Sequence, residues 1–178
     1  MPSRPRDTLV PMVGPLIDED AWQLVRAYRT LAHAEAEVVY ERTTVPQGGW
    51  YVGPTIVVAH TPRSRVATEE IFGPLLAVLR ADDFDHALAL ANDSDYALTG
   101  GIFSRSPSRI ARAAEDFRAG NFYVNRPITG ALVGRAPFGG YGLSGVGSKA
   151  GGPDYLLQFL EPRVISENTI RQGFAPLA

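Results

Sequence analysis

Between Leu75 and Asn125 short apolar runs alternate with segments of helical periodicity over brief connections, and this alternation limits the possible fold more than any other feature. LLAVLR at 75–80 reads as a buried strand. DDFDHALALAN follows as an amphipathic helix, with Phe84, Ala87, Leu88 and Leu90 on one face and Asp82 or Asp83 at its cap. LTGGIFS is a strand, and SPSRIARAAEDFRAG is a helix with Ser106 at the cap, Pro107 at the first position and Gly120 as its stop. NFYVN closes the series as another strand. Strand, helix, strand, helix, strand predicts an α/β fold built as a layered sheet with right-handed crossovers, whose ligands bind beyond the carboxyl ends of the strands.

The flanks extend this pattern. Asp18 is placed to cap a helix through AWQLVRAYRTLAHAEAE, where Trp22, Val25, Tyr28 and Leu31 fall at helical spacing. VVY and, after the turn signal TTVPQGGW, YVGPTIVVA read as strands; PDYLLQFL reads as a helix and RVISENT as a strand. With 178 residues the chain is long enough for one hydrophobic core, and two independent domains are not expected.

Charge and composition exclude several functions. The net charge of −2 comes from interspersed residues with no basic run, so nucleic acid is not expected as a partner. No apolar stretch approaches the roughly 20 residues that span a bilayer, so no membrane association is expected and the default location is the cytoplasm. Cysteine is absent, which removes disulfides, thiolate metal sites and any cysteine nucleophile from this chain. Of 17 basic residues only Lys149 is lysine, a bias that reads as genome composition.

The densest concentration of glycine and proline is GALVGRAPFGGYG at 130–142, directly after NFYVN, where a strand end would place a functional loop. Glycine there serves either sharp turning or close approach of main-chain N–H groups to a ligand. GLSGVGSK at 142–149 fails as a P-loop because Ser148 precedes Lys149, and Gly145, Gly147 and Ala150 match a dinucleotide pattern outside its βαβ setting. Ser144 lacks the nucleophile-elbow pattern. His33, His60 and His86 show no i, i+4 pairing, so no metal site is expected. Glu69 and Glu70, in VATEEIFGP, read as a solvated turn, or alternatively as an acceptor for a cofactor sugar hydroxyl.

EEIFGPLLAV, ANDSDYALTGGIFS, GNFYVN and PFGGYGLSG together resemble the aldehyde dehydrogenase superfamily. The stretch from RPITGALVG to PDYLLQFL is similar, more narrowly, to the branch that oxidises L-glutamate γ-semialdehyde to L-glutamate in proline catabolism. The resemblance runs from about VGPLIDED to RVISENTIRQGFAP. It implies that Glu70 holds the ribose of the nicotinamide cofactor, NAD, and that Phe72 packs beside the nicotinamide ring. It also implies that the main-chain amides of Gly130 and Ala131 anchor the substrate's α-carboxylate end, and that Phe138 walls its aliphatic chain.

In that family a cysteine thiolate attacks the aldehyde, hydride passes to NAD, and water cleaves the resulting thioester. The resemblance places that cysteine and most of the cofactor-binding Rossmann segment before the first residue of this sequence, so the chain matches the C-terminal third of the enzyme. The expected organisation is an irregular segment 1–13, a partial catalytic domain 14–160, and a strand-bearing arm 161–178 that joins a homo- or hetero-oligomer. The expected partners are the missing Rossmann and cysteine segment and a small aldehyde. The chain alone is expected to be inactive; the competing reading is a non-catalytic assembly module of the same fold.

Overall fold

The computed structural model describes residues 13–168. Its first unit is helix α1 (Glu19–Glu35) laid across a three-stranded sheet of β1 (Ala36–Glu41), β2 (Thr55–Ala59) and β3 (Leu75–Val78). Asp18 starts α1 as expected, accepting a hydrogen bond from the Ala21 N–H at 2.8 Å. β1 runs antiparallel to β2, with an irregularity between Val38 and Tyr40, and β2 runs parallel to β3. The core lies between helix and sheet, where Val25, Tyr28 and Ala32 of α1 meet Val57 of β2, with Val52, Val66 and Ile71 closing the edges. Val25 and Val57 are wholly removed from solvent.

Short helix α2 (Arg65–Thr68) lies in the crossover from β2 to β3. Helix α3 (Phe84–Asn92) is capped by Asp83, which accepts from the His86 N–H at 2.8 Å. Two-residue strand β4 (Tyr96–Ala97) leads into β5 (Thr99–Ile102); helix α4 (Pro107–Asp116) then returns the chain to β6 (Asn121–Val124), which pairs parallel with β5. This is a βαβ unit with helices α3 and α4 in contact. β4 pairs antiparallel with β7 (Tyr141–Gly142), 45 residues on in the chain, and a 3-10 helix (Pro153–Phe159) follows.

The mixed α/β architecture matches expectation, with three departures. Among the described residues the strands form three small sheets, β1-β2-β3, β4-β7 and β5-β6, not one ladder. α4 ends at Asp116 with Phe117 as its cap, three residues before Gly120, because Phe117 turns into the β5-β6 layer to meet Phe122 edge-on at 5.6 Å. PDYLLQFL forms the expected helix, of 3-10 type over Pro153–Phe159, with none of its side chains buried. Residues 161–168 carry no strand: Val164 and Ile165 stand exposed without a neighbouring strand to pair with. Residues 1–12 of the expected irregular segment, and 169–178 of the expected arm, lie outside the described residues. No helix among the described residues is long and apolar enough to cross a membrane.

Candidate active site

The loop joining α2 to β3 separates the two adjacent glutamates. Glu69 is engaged: Arg65 grips it bidentately, Nε to Oε1 at 2.9 Å and Nη2 to Oε2 at 3.0 Å, and the Tyr28 hydroxyl donates to Oε2. The Arg65 bond, then the Tyr28 bond, pull the Glu69 carboxyl down to about 2, while the same carboxylate pushes the Tyr28 hydroxyl up. Glu70, one residue on, is exposed and has no hydrogen-bond partner or ion pair among the described residues. It borders a cavity of about 340 Å³ that also touches Thr68, Tyr96, Arg118 and Ser144.

Phe72 follows with its side chain 81% exposed and its backbone at φ 52. A bulky residue in the left-handed region costs on the order of 1–3 kcal/mol and persists only where its surroundings impose it. Its neighbours do so here. Ile71 is buried in the core, and a Cβ added at Gly73 would lie 2.3 Å from Val25 Cγ2, so the chain is pinned on both sides and Phe72 is left to project.

The second set of expected residues sits beyond β6. Asn125 ends that strand at φ 53, exchanging two hydrogen bonds with Ser104: Oδ1 accepts from its N–H at 2.8 Å and Nδ2 donates to its carbonyl at 3.0 Å. Arg126 crosses the Tyr123 ring and donates to the Thr129 carbonyl at 3.0 Å, closing a short loop. Gly130 then adopts φ +111, and the amides of Gly130 and Ala131 donate to no main-chain carbonyl among the described residues. A tight hairpin, Leu132 to Ala136, follows and is tethered through the Gly134 N–H to the Gly151 carbonyl at 2.8 Å.

Phe138, half-buried, exchanges both main-chain bonds with Ala150, at 3.0 and 2.8 Å. Asn121 holds the peptides on either side of it, donating to the Pro137 carbonyl at 2.8 Å and accepting from the Gly139 N–H at 3.2 Å. Lys149 Nζ donates to the carbonyls of Gly120, at 2.7 Å, and Gly139, and burial pushes its ammonium down. Neither Asn121 nor Lys149 was singled out from sequence as a site residue. The one available signal was Lys149 standing alone among arginines.

Gly130, Ala131 and Phe138 therefore share one connected framework built on β6. Glu70 borders a cavity whose wall includes Ala97 of β4, the strand that pairs with β7 just after Phe138. Two further cavities, of about 220 and 380 Å³, lie between α3, α4 and β5 and along α1. None of the three is lined by Phe72, Gly130, Ala131 or Phe138. His33 bonds Glu41 at 2.9 Å and His86 bonds Asp82 at 3.2 Å, and no three metal-ligating side chains converge among the described residues.

A parallel βαβ unit with its loop cluster beyond one strand end, joined to a helix-covered sheet, defines an α/β domain of the kind that carries enzyme sites on its loops. Within that class the chain belongs to the aldehyde dehydrogenase family, whose model matches residues 4–165. It is 44% identical over 155 residues, 87% of this chain, to 1-pyrroline-5-carboxylate dehydrogenase of Bacillus cytotoxicus. Among solved structures it is similar to the Thermus 1-pyrroline-5-carboxylate dehydrogenase with bound NAD, with 43% identity, TM-score 0.80, and coverage of 83% of this chain and 29% of that one. Proline utilization A of Bdellovibrio bacteriovorus is 48% identical with TM-score 0.82, over 93% of this chain and 17% of that one. The chain spans about 30% of the length of the curated relatives it matches.

Proposed function

We propose that this chain supplies one wall of the active site of an NAD-dependent dehydrogenase that oxidises L-glutamate γ-semialdehyde to L-glutamate. The observation that carries the reading is the pair of unengaged amides at Gly130 and Ala131, at the entry to the Leu132–Ala136 hairpin that leads on to Phe138. Two adjacent N–H groups on a turn form an anion-binding concavity for the substrate's α-carboxylate, and the aromatic beside it shields the aliphatic chain from water. The similarity to proteins named 1-pyrroline-5-carboxylate dehydrogenase gives this reading its substrate.

Glu70 and Phe72 would hold the cofactor, the carboxylate accepting from a ribose hydroxyl and the ring lying along the nicotinamide. NAD, when bound, accepts the hydride that the aldehyde carbon loses. None of these residues is a nucleophile, and the chain contains no cysteine, so the sulfur that attacks the aldehyde comes from sequence outside these 178 residues. The exposed apolar side chains Leu156, Leu157, Phe159, Leu160, Val164 and Ile165 favour a partner polypeptide over an isolated existence, and we assign to the same segment a part in oligomer assembly.

The test is NADH formation from glutamate semialdehyde, followed by the absorbance of the reduced nicotinamide. The chain is assayed alone and with a polypeptide carrying the family's Rossmann and cysteine segments. No turnover alone and turnover on mixing is the expected result. Turnover by the isolated chain would overturn the division of the site.

A further inference from the structure

Lysine survives at one position in a chain that otherwise uses arginine throughout, and the structure supplies a physical reason. Lys149 Nζ lies between two main-chain carbonyls, those of Gly120 and Gly139, half-buried and 5.1 Å from the centre of the Tyr141 ring. The two glycines themselves pack without a gap, since a Cβ at Gly120 would fall 1.9 Å from the Gly139 oxygen. A compact ammonium with three freely directed donors fits such a junction. A planar guanidinium, with its donors fixed in a fork, is less suited to two carbonyls converging on one point.

From the residue following Gly120, Asn121 reaches the peptides either side of Phe138, at 2.8 Å and 3.2 Å. Phe138 is thus tied through its own N–H and carbonyl to Ala150, through both flanking peptides to Asn121, and through the Gly139 carbonyl to Lys149. We infer that Asn121 and Lys149 are positioning residues that fix Phe138, and that through it they set which length of carboxylate-bearing aliphatic chain the site accepts. This rests on the reading of Gly130, Ala131 and Phe138 as the substrate wall.

The experiment uses the full 178-residue chain, labelled with ¹⁵N, as wild type, Lys149→Arg and Asn121→Ala. Amide hydrogen exchange is read at Phe138 and Ala150, with the β5-β6 amides as the control for folding. Titration with L-glutamate and with L-aspartate, one methylene shorter, is read at the Ala131 amide. Wild type should favour glutamate by about tenfold, the discrimination one methylene commonly gives. In both variants Phe138 should exchange about tenfold faster, the preference should fall toward parity, and β5-β6 protection should persist.

Retention of both the slow exchange and the glutamate preference in Lys149→Arg would overturn the positioning role. Loss of β5-β6 protection in both variants would also overturn it, making the junction a determinant of the whole fold. If glutamate leaves the wild-type Ala131 amide unmoved, the substrate-wall reading fails and takes the specificity claim with it. Faster exchange at Phe138 in the variants would then still report the clamp, so the two failures are distinguishable.

Discussion

At the scale of single residues, the two neighbouring glutamates show how environment separates identical side chains. Glu69 has lost its independence to Arg65 and Tyr28, whereas Glu70 keeps a free carboxylate at a cavity edge. Because the Glu69 carboxyl is lowered from 4.5 to about 2, the stability it contributes is complete above its ordinary range and disappears as pH falls toward about 2. Tyr28 is raised from 10.0, so its contribution is complete below that value and is lost as pH rises through the folded-state value. Carboxyl-carbon NMR titration should find the Glu69 midpoint at about 2, and a midpoint near 4.5 would contradict the cluster. Glu69→Gln should lower the thermal midpoint while Glu70→Gln leaves it unchanged. In the completed enzyme Glu70→Gln should weaken NAD binding, measured by calorimetry.

At the scale of elements, the helix over the first sheet depends on a missing side chain as much as on present ones. Val25 is fully buried, and truncation to alanine should cost about 2 kcal/mol from lost transfer energy plus the residual cavity. A methyl group added at Gly73 would overlap both Val25 methyls, at 2.3 and 2.9 Å, so Gly73→Ala should cost about 1–3 kcal/mol. The two changes occupy the same space. In the double variant the costs should therefore sum to at least about 1 kcal/mol less than the separate losses, as read by urea unfolding, and strict additivity would refute the contact.

What the sequence disclosed follows the same division between local and distant causes. The starts of α1, α3 and α4 were legible because Asp18, Asp83 and Ser106 act within three residues of themselves. β4 and β7, two residues each, were not, since their pairing joins Tyr96 to Gly142 and neither run is long enough to show a period. The loop at 130–142 was located by its glycines and by the strand before it. The Asn121 and Lys149 clamp was invisible because its partners lie 10 to 29 residues away and are all main-chain groups, which carry no letter. The end of α4 was misplaced for a related reason: tertiary packing of Phe117 overrode the glycine signal at Gly120.

At the scale of the whole molecule, the three sheets and the apolar 3-10 segment present the exposed surface on which the proposed partner polypeptide would sit. Among the described residues β5 pairs only with β6 and β3 only with β2, so each small sheet presents strand edges there. Leu156, Leu157, Phe159 and Leu160 are each more than 60% exposed over five residues, a concentration that isolated soluble domains avoid. Cooperative stability should consequently depend on mass action with whatever covers these faces. Sedimentation velocity across a range of concentrations should show the chain alone self-associating and binding a hydrophobic dye. A segment carrying the family's preceding strands should convert it to a defined complex, suppress the dye signal and raise the thermal midpoint. Replacing Leu157 and Leu160 with serine should reduce both dye binding and self-association without altering β5-β6 hydrogen exchange, because neither side chain is buried against that sheet. A monomeric, dye-silent wild-type chain whose thermal midpoint ignores the added segment would refute the incomplete-surface reading.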